Sequence, residues 1–283
     1  MHPLLGKTLI IFFAFVAATA GIAATISTAE SPGQAASLRE SAAAPAAAYP
    51  PPPPVHKFAL IIGIDYDHTD LGDVKYADRD AVSAYNLLTR QKGFPPGNVV
   101  MLRNSQATRG NILTALNSLA ANPEVDSNSE VVFFYSGHGL RNGPGDGLDI
   151  AGLPPGYALV PFDFYNYNYK KGDGLIWNWQ LAGPLSRIHP GMMWISIDSC
   201  FSGGFIQPGI AGPGRVVTAS SQADQLSNEL PQARQGVFTD FMVNEGLARE
   251  MSIEQAFTAA SVRSLPYSQT PQIADEVPGG GRL

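Results

Sequence analysis

Short apolar runs and amphipathic stretches alternate along this chain, and the alternation predicts an α/β fold with a mainly parallel sheet. Residues 58–64 form a continuous apolar run of the kind that is buried on both faces of a sheet. An amphipathic helix is predicted from 78 to 90, with Ala81, Tyr85 and Leu88 on one face. Strands and helices that alternate in this way predict a sheet with helices on both faces.

The elements that follow continue the alternation to the end of the chain. Further strands are predicted at the runs 98–102, 131–135, 193–197 and 215–219. Thr108 is placed to cap the helix after the second strand, because its side chain can accept a hydrogen bond from a free backbone N–H. Ser252 and Gln255 form a capping box that predicts the start of the last helix. In such sheets, binding sites lie beyond the carboxyl ends of the strands.

The N-terminus has the features of an export signal. Lys7 precedes an uncharged run whose apolar centre is 9–16, and small residues at 18–20 give an A-x-A-like cleavage site. We therefore predict a signal peptide over 1–24 and an exported protein, either secreted or periplasmic. The alternative is an uncleaved membrane anchor, since the uncharged run just reaches spanning length.

A linker is predicted between this signal and the folded domain. Residues 25–55 are rich in Ala and Pro and include five consecutive prolines at 50–54. Such a composition buries too little apolar surface to fold, which predicts a disordered spacer. The domain itself is predicted over 56–283.

Charge and cysteine content exclude several classes of function. The net charge is −6 and the basic residues form no cluster, which argues against nucleic acid as a partner. Cys200 is the single cysteine, so the chain has no intramolecular disulfide and no all-cysteine metal site. A lone cysteine in an exported chain is either a buried filler or a reactive thiol.

Cys200 and a glycine-flanked histidine, His138, directly follow two of the predicted strands. A thiol with a pKa of about 8.5 is mostly protonated at neutral pH and needs a base nearby to become a nucleophile. Imidazole can take that proton and deliver it to a leaving amine. The backbone N–H groups of Gly139 and Cys200 are placed to bind an oxyanion. The pattern predicts acyl-transfer chemistry by a Cys200/His138 pair.

Strand periodicity places Asp198 on the side of Cys200, and Ser136 on the side of His138. A carboxylate beside the nucleophile raises the pKa of the thiol, which does not help to activate it. Asp198 is therefore better suited to bind a substrate Arg or Lys. The alternative role for this residue is to cap a neighbouring loop.

The chain from residue 57 to about residue 272 resembles the caspase-like clan of cysteine peptidases, and the metacaspase group in particular. The segments that carry the resemblance are ALIIGI at 59–64, KYADRDA at 75–81, YSGHG at 135–139, DSCFSGG at 198–204, VTASS at 217–221 and GVFT at 236–239. The two segments that contain His138 and Cys200 form the strongest part, because they occur in order and on matching strands.

The resemblance implies a three-layer α/β sandwich around a mainly parallel six-stranded sheet. His138 and Cys200 would be the catalytic dyad, and Asp80, Asp198 and Ser136 would line a pocket that selects Arg or Lys. The implied function is a cysteine endopeptidase that acts on peptides or proteins and cleaves after basic residues. We expect Arg to be preferred over Lys, because the guanidinium fork can bind two carboxylates at once.

The sequence departs from the metacaspase pattern in two places. Many relatives cleave themselves after a basic residue that follows the cysteine segment, but 201–214 contains neither Lys nor Arg. Many depend on calcium, yet the chain has no Asp-x-Asp-x-Asp loop, and Asp146, Asp149 and Asp173 are scattered candidates. The dyad requires no cofactor for its chemistry, and calcium activation is left open. The aromatic stretch 164–169 is interpreted as a strand edge or as a loop that packs on itself, rather than as the wall of a substrate cleft.

Two other functions compete with this one. A legumain- or gingipain-like peptidase of the same clan would share both segments but prefer another residue. A caspase-fold scaffold would bind peptides without cutting them, although the intact Cys/His pair argues against it. A serine hydrolase is disfavoured, since the chain has no G-x-S-x-G elbow. A membrane partner is expected only if the N-terminal segment stays uncleaved.

Overall fold

The computed structural model describes residues 55–66, 71–72, 74–144 and 148–283. The predicted signal peptide, and the linker up to residue 54, lie outside these residues. None of the helices in the described ranges is both long enough and apolar enough to cross a membrane.

Strands and helices alternate as the sequence predicts. The strands are β1 (His56–Gly63), β2 (Val99–Arg103), β3 (Ser129–Ser136), β4 (Gly139–Asn142), β5 (Gly156–Leu159), β6 (Ile176–Trp177), β7 (Met192–Asp198), β8 (Arg215–Ala219), β9 (Glu229–Leu230), β10 (Gln235–Gly236) and β11 (Gln272–Asp275). The helices are α1 (Ala77–Arg90), α2 (Arg109–Ala120), α3 (Asn178–Leu185), α4 (Val237–Thr239) and α5 (Ile253–Ser264). A π-helical turn, Asp240–Asn244, continues α4. Both predicted caps are present, since Thr108 accepts from the N–H of Asn111 and Ser252 forms the capping box with Gln255.

Six strands form the central sheet in the order β11, β8, β7, β3, β1, β2. Strands β2, β1, β3, β7 and β8 are parallel, and β11 pairs antiparallel with β8 at one edge. Two smaller antiparallel units complete the strands of the described ranges: a sheet of β4, β5 and β6, and a hairpin of β9 and β10. The mainly parallel six-stranded sheet is confirmed.

Helices cover both faces of the sheet, because its central strands are apolar on both sides. In β1, Leu60 and Ile62 pack in the cluster that contains α2 and α3, whereas Ile61 packs with α1 and α5 on the other face. In β3, Phe133 packs on the face covered by α2 and α3, and Phe134 packs on the face covered by α1 and α5. Burial on both faces explains why these strands read as continuous apolar runs, and it confirms the three-layer sandwich.

Candidate active site

The register of β3 and β7 brings the two candidate catalytic residues to one edge of the sheet. Ser136 is paired with Asp198 at the carboxyl ends of these neighbouring parallel strands. The N–H of Gly137 donates to the carbonyl of Asp198 at 3.2 Å and extends the pairing by one residue. His138 and Cys200 each lie two residues beyond the pair, and both line one cavity.

The imidazole of His138 is held by a carbonyl and an aromatic ring. Its Nε2 lies 3.0 Å from the carbonyl oxygen of Gly72. Because a carbonyl can only accept, Nε2 carries the proton and Nδ1 has the free lone pair of a base. The ring of Tyr66 packs 4.4 Å from the imidazole, and Phe164 supports Tyr66 from behind. Burial lowers the pKa of His138, which the contact with Gly72 partly opposes, so the neutral form is favoured.

The thiol of Cys200 is half-buried and lies against the backbone of Ser227. The N–H of Ser227 approaches Sγ at 3.4 Å. Burial raises the pKa of the thiol, and the charge of Asp198 raises it further, while the Ser227 N–H opposes both effects. The thiol therefore needs a base to ionise. Phe201, the next residue, has a left-handed φ of 60°, and its N–H is fixed by the carbonyl of Gln225 at 2.7 Å.

Buried serine hydroxyls fasten the turn that carries Cys200. The N–H of Ser199 donates to the hydroxyl of Ser220 at 3.1 Å, and the Ser221 hydroxyl donates to the carbonyl of Ser199 at 3.1 Å. The N–H of Ser202 donates to the Ser221 hydroxyl. These contacts join the cysteine segment to the residues after β8, so the serines at the end of the VTASS segment hold the turn that carries Cys200.

Gly139 packs directly on the backbone of the nucleophile. A Cβ at this position would collide with the carbonyl oxygen of Cys200 and with the hydroxyl of Ser199. Only glycine permits this close approach. It places the backbone of Gly139 next to that of Cys200, as an oxyanion site made of both N–H groups requires.

The cavity beside the dyad is small and acidic. All five predicted side chains line it, those of His138, Cys200, Asp80, Ser136 and Asp198, and so do Glu229 and Gly236. Its free volume is about 40 Å³.

Asp80 lies in the first turn of α1, and its carboxylate is buried and accepts hydrogen bonds. The Ser136 hydroxyl donates to its carboxylate at 2.7 Å, and the N–H of Gly236 donates at 3.0 Å. Burial raises the pKa of Asp80 well above its ordinary value, and the nearby charge of Asp198 adds to the shift. The resemblance alone had implied this position, and the structure places Asp80 in the same cavity as Asp198.

Asp198 is buried in the same wall and is fully engaged. One carboxylate oxygen accepts from the N–H and the hydroxyl of Thr239, at 3.1 and 2.7 Å. The other accepts from the hydroxyl of Ser227 at 2.8 Å. Burial raises the pKa of this carboxyl, and these donors partly counter the shift. Asp198 thus lines the cavity and also holds the neighbouring segments through its hydrogen bonds.

Sequence reasoning missed Glu229, a third carboxylate in the cavity wall. It lies in β9 and is half-buried, and one of its oxygens accepts from the N–H groups of Lys75 and Tyr76 at 2.9 and 2.8 Å. Burial raises its pKa, while the two N–H groups oppose the rise. No spacing to the other site residues marks Glu229, because its position depends on a hairpin that folds back over the sheet edge.

The residues considered for calcium do not form a site in the described part of the chain. Asp146 lies outside the described residues. Asp149 is exposed and Asp173 lies in a different loop, and the described ranges contain no group of three His, Cys, Asp or Glu side chains that could hold a metal. We derive no step through a metal ion.

The segment after the nucleophile ends at a buried arginine. Arg215, the first basic residue after 201–214, is nearly inaccessible. Its guanidinium donates to four backbone carbonyls, those of Leu185, Ile188, Gly209 and Ile210. A peptidase, including this protein acting on its own chain, therefore cannot reach this arginine. In the folded protein, 201–215 contains no accessible basic residue for cleavage.

Sequence comparison finds that part of this chain is similar to metacaspases. The chain is 31% identical over 159 residues to metacaspase-8 of Arabidopsis thaliana, covering 53% of this chain and 38% of that protein. It is 28% identical over 152 residues to metacaspase-1 of Kluyveromyces lactis, covering 51% and 33%. The match therefore spans less than half the length of either relative.

A solved structure shares the fold at low sequence identity. A protein from Geobacter sulfurreducens superimposes with a TM-score of 0.58 at 18% identity, over 77% of this chain and 92% of the other. The family model of the caspase domain matches residues 56–277, from the first strand past the last. This chain belongs to the caspase domain family.

Proposed function

We propose that this protein is a cysteine endopeptidase that cleaves peptide bonds after basic residues, with Arg preferred over Lys. One observation carries the proposal: the cavity that holds Cys200 and His138 also holds the buried carboxylates of Asp80 and Asp198. A nucleophile, a base and an acidic pocket within one cavity are the parts that such cleavage needs.

The chemistry follows from the protonation states. Nδ1 of His138 takes the proton of the Cys200 thiol, and the thiolate attacks the carbonyl carbon of the scissile bond. The N–H groups of Gly139 and Cys200 bind the oxyanion that forms. His138 then gives its proton to the leaving amine as the C–N bond breaks. Water attacks the resulting thioester with His138 as base, which releases the acid and restores the thiol.

The acidic pocket explains the preference for a cation. The negative charges of Asp80 and Asp198 repel each other while the pocket is empty, and a positive side chain in the pocket offsets this repulsion. Arg can engage two carboxylates through its planar fork, whereas Lys offers one point charge. A substrate Asp would bring like charge to the pocket and is rejected.

The pocket must widen before an Arg side chain can enter. The free volume of about 40 Å³ is room for about three water molecules. Gly236 packs against both carboxylates, and its N–H donates to that of Asp80 at 3.0 Å. The hairpin of β9 and β10 therefore has to shift when substrate binds, so that the guanidinium replaces this N–H.

The test is a set of peptides that differ only in the residue before the cut, being Arg, Lys, Asn or Asp, assayed with and without calcium. We expect Arg peptides to be cleaved best. Asp198→Asn should lower the catalytic efficiency on Arg peptides. The loss should correspond to about 2–5 kcal/mol of transition-state binding, because the guanidinium loses a charged partner.

Asp275→Asn is the matched control. Asp275 is exposed in β11 and pairs with the start of β8, at the edge of the sheet opposite the site. The Asp275→Asn variant should cleave all four peptides as the wild type does. If Asn or Asp peptides are cleaved best by the wild type, the acidic-pocket argument is wrong and a legumain- or caspase-type specificity replaces it. If no peptide is cleaved, the scaffold function is favoured.

A further inference from the structure

We propose that Ser227 is a positioning residue for the nucleophile, and that it acts through two groups. Its backbone N–H is the donor that stabilises the Cys200 thiolate, and its hydroxyl, bound to Asp198, keeps this N–H in place. The inference deepens the proposed function and rests on it for the role of Cys200. It does not depend on which residue precedes the cut.

The contact between the Ser227 amide and the sulfur favours the charged form of Cys200. The N–H lies 3.4 Å from Sγ, whereas the carbonyl of the same residue lies farther away, at 4.0 Å. A backbone N–H can only donate, and a thiolate is a better acceptor than a thiol. The contact therefore opposes the rise in the pKa of the thiol that burial causes.

The segment that carries this amide, 224–229, lies at the surface and is held by polar contacts. Its residues alternate between exposed and half-buried, and the half-buried side chains are all polar. Gln225 and Asn228 form hydrogen bonds with 267–270, on the side away from the nucleophile. The carbonyl of Gln225 accepts from the N–H of Phe201. Hydrogen bonds, rather than apolar packing, thus set the position of the segment.

The Ser227 hydroxyl fastens this segment to the central sheet. It donates to Oδ1 of Asp198 at 2.8 Å and accepts from the hydroxyl of Ser220 at 3.0 Å. Asp198 ends β7 and Ser220 directly follows β8, and both residues are buried. A serine side chain has one rotatable bond before its oxygen, so these two contacts restrict the backbone of Ser227 and the direction of its N–H.

Other titratable groups also face the thiol. His138, Asp80 and Glu229 line the same cavity, and Tyr135 faces the sulfur from β3. These groups are the same in every Ser227 variant. Of the charged groups around the thiol, Asp198 is the one that binds the Ser227 hydroxyl, so it is the second route by which a change at Ser227 can reach the sulfur.

The two routes shift the pKa of the thiol in opposite directions when the hydroxyl is removed. The hydroxyl lowers the pKa of Asp198, so without it Asp198 is more easily neutralised. The charge of Asp198 then raises the pKa of the thiol less, and this route lowers the pKa of Cys200. A displaced amide instead stabilises the thiolate less and raises that pKa. The direction of the shift therefore identifies the route.

The experiment measures the rate at which iodoacetamide alkylates Cys200 across pH, without substrate. Cys200 is the single cysteine, so the reagent reports on it alone. For Ser227→Ala we expect the midpoint to rise by about one pH unit, as the loss of a hydrogen bond to a charged group implies. The alkylation rate at neutral pH should then fall about tenfold. Each variant is also made together with His138→Ala, so that the imidazole does not contribute to the profile.

Ser227→Thr keeps the hydroxyl and should give the wild-type profile. Ser129→Ala is the matched control for the loss of a hydroxyl. Ser129 is also buried, and its hydroxyl lies within hydrogen-bond distance of a carbonyl and a carboxylate, those of Glu124 and Asp126, at the start of β3. This control should lower the melting temperature and leave the alkylation profile unchanged.

A midpoint that falls or does not move in Ser227→Ala overturns the proposal, and so does a Ser227→Thr variant that shifts as far as Ser227→Ala. If Ser227→Ala does not fold, Ser220→Ala removes one of the two bonds of the Ser227 hydroxyl and should give a smaller upward shift. No shift in that variant overturns the proposal too. A wild type that does not cleave Arg peptides contradicts the proposed function, whereas the alkylation profiles still decide the role of Ser227.

Discussion

The candidate dyad and the proposed specificity pocket are built in different ways. His138 and Cys200 follow two neighbouring strands of the buried sheet, and the pairing of Ser136 with Asp198 fixes where they emerge. The pocket is instead closed by connections from distant parts of the chain, which meet through hydrogen bonds to carboxylates. Strand register sets the first arrangement, whereas individual polar contacts set the second.

This difference determines which part of the site is rigid and which part can adapt. Strands that are buried on both faces cannot shift without disturbing the core, so the dyad is held in a fixed frame. The hairpin β9–β10 is attached mainly through individual polar contacts, and its β9 strand is half-buried, although β10 is buried. Changes at the strand ends should therefore affect the chemistry, and changes in the hairpin should affect substrate selection.

The largest effect is expected for Cys200→Ala. The thiolate is the nucleophile in the proposed reaction, so hydrolysis should be abolished while the melting temperature stays close to wild type. Peptide cleavage and thermal unfolding of the same preparation are the measurements. Turnover near the wild-type rate in pure Cys200→Ala would contradict the assignment.

His138→Ala should have the next largest effect. Removal of a general acid–base commonly lowers the rate by about 10²–10⁴. Cys200 should still be alkylated, at a rate that reflects a thiol without its base. The measurement is kcat together with the pH dependence of alkylation. An unchanged kcat would mean that another group transfers the proton.

Gly236→Ala should have a smaller effect, limited to substrate selection. A Cβ at Gly236 would lie 2.5 Å from Oδ2 of Asp198 and 2.9 Å from Oδ2 of Asp80, so the hairpin must shift. Such overpacking commonly costs about 1–3 kcal/mol. We expect weaker binding of Arg peptides, seen as a higher KM, with Cys200 alkylated as in the wild type.

Gly110→Ala is the control for this prediction. A Cβ at Gly110 would meet nothing within 4 Å, and the residue lies in α2, where Ala is the better helix former. It should leave KM unchanged and raise the melting temperature slightly. If both variants behave alike, Gly236 does not restrict the pocket.

The parts of the molecule that the sequence predicts are those with a local cause. The apolar runs of β1 and β3 reflect burial on both faces, and Thr108 and Ser252 mark helix starts by their own hydrogen bonds. Strand β11 lacks such a pattern, because its four residues are placed by antiparallel pairing with β8. It was expected only through the resemblance to caspase-like peptidases.

The same distinction applies to the site. Asp198 and Ser136 could be assigned by strand alternation, and Asp80 only by resemblance. Glu229 could not be found, since its role comes from two amides more than 150 residues earlier in the chain. The short helix α4 also differs from a regular closing helix, because a π turn follows Thr239 directly. That residue is the one whose N–H and hydroxyl bind Asp198.

The buried carboxylates of Asp80 and Asp198 also affect the stability of the whole protein. Burial raises their pKa values above those of the unfolded chain, so their contribution to folding is favourable at low pH and is lost as the pH rises through the folded pKa values. At neutral pH the empty pocket therefore destabilises the folded protein. A cation that binds in the pocket stabilises the folded state, by an amount that grows with the logarithm of the cation concentration. Because a ligand that binds only the folded state stabilises it, we expect a small ligand that carries one guanidinium group and fits the pocket to raise the melting temperature of the protein, even when it contains no peptide bond to cut.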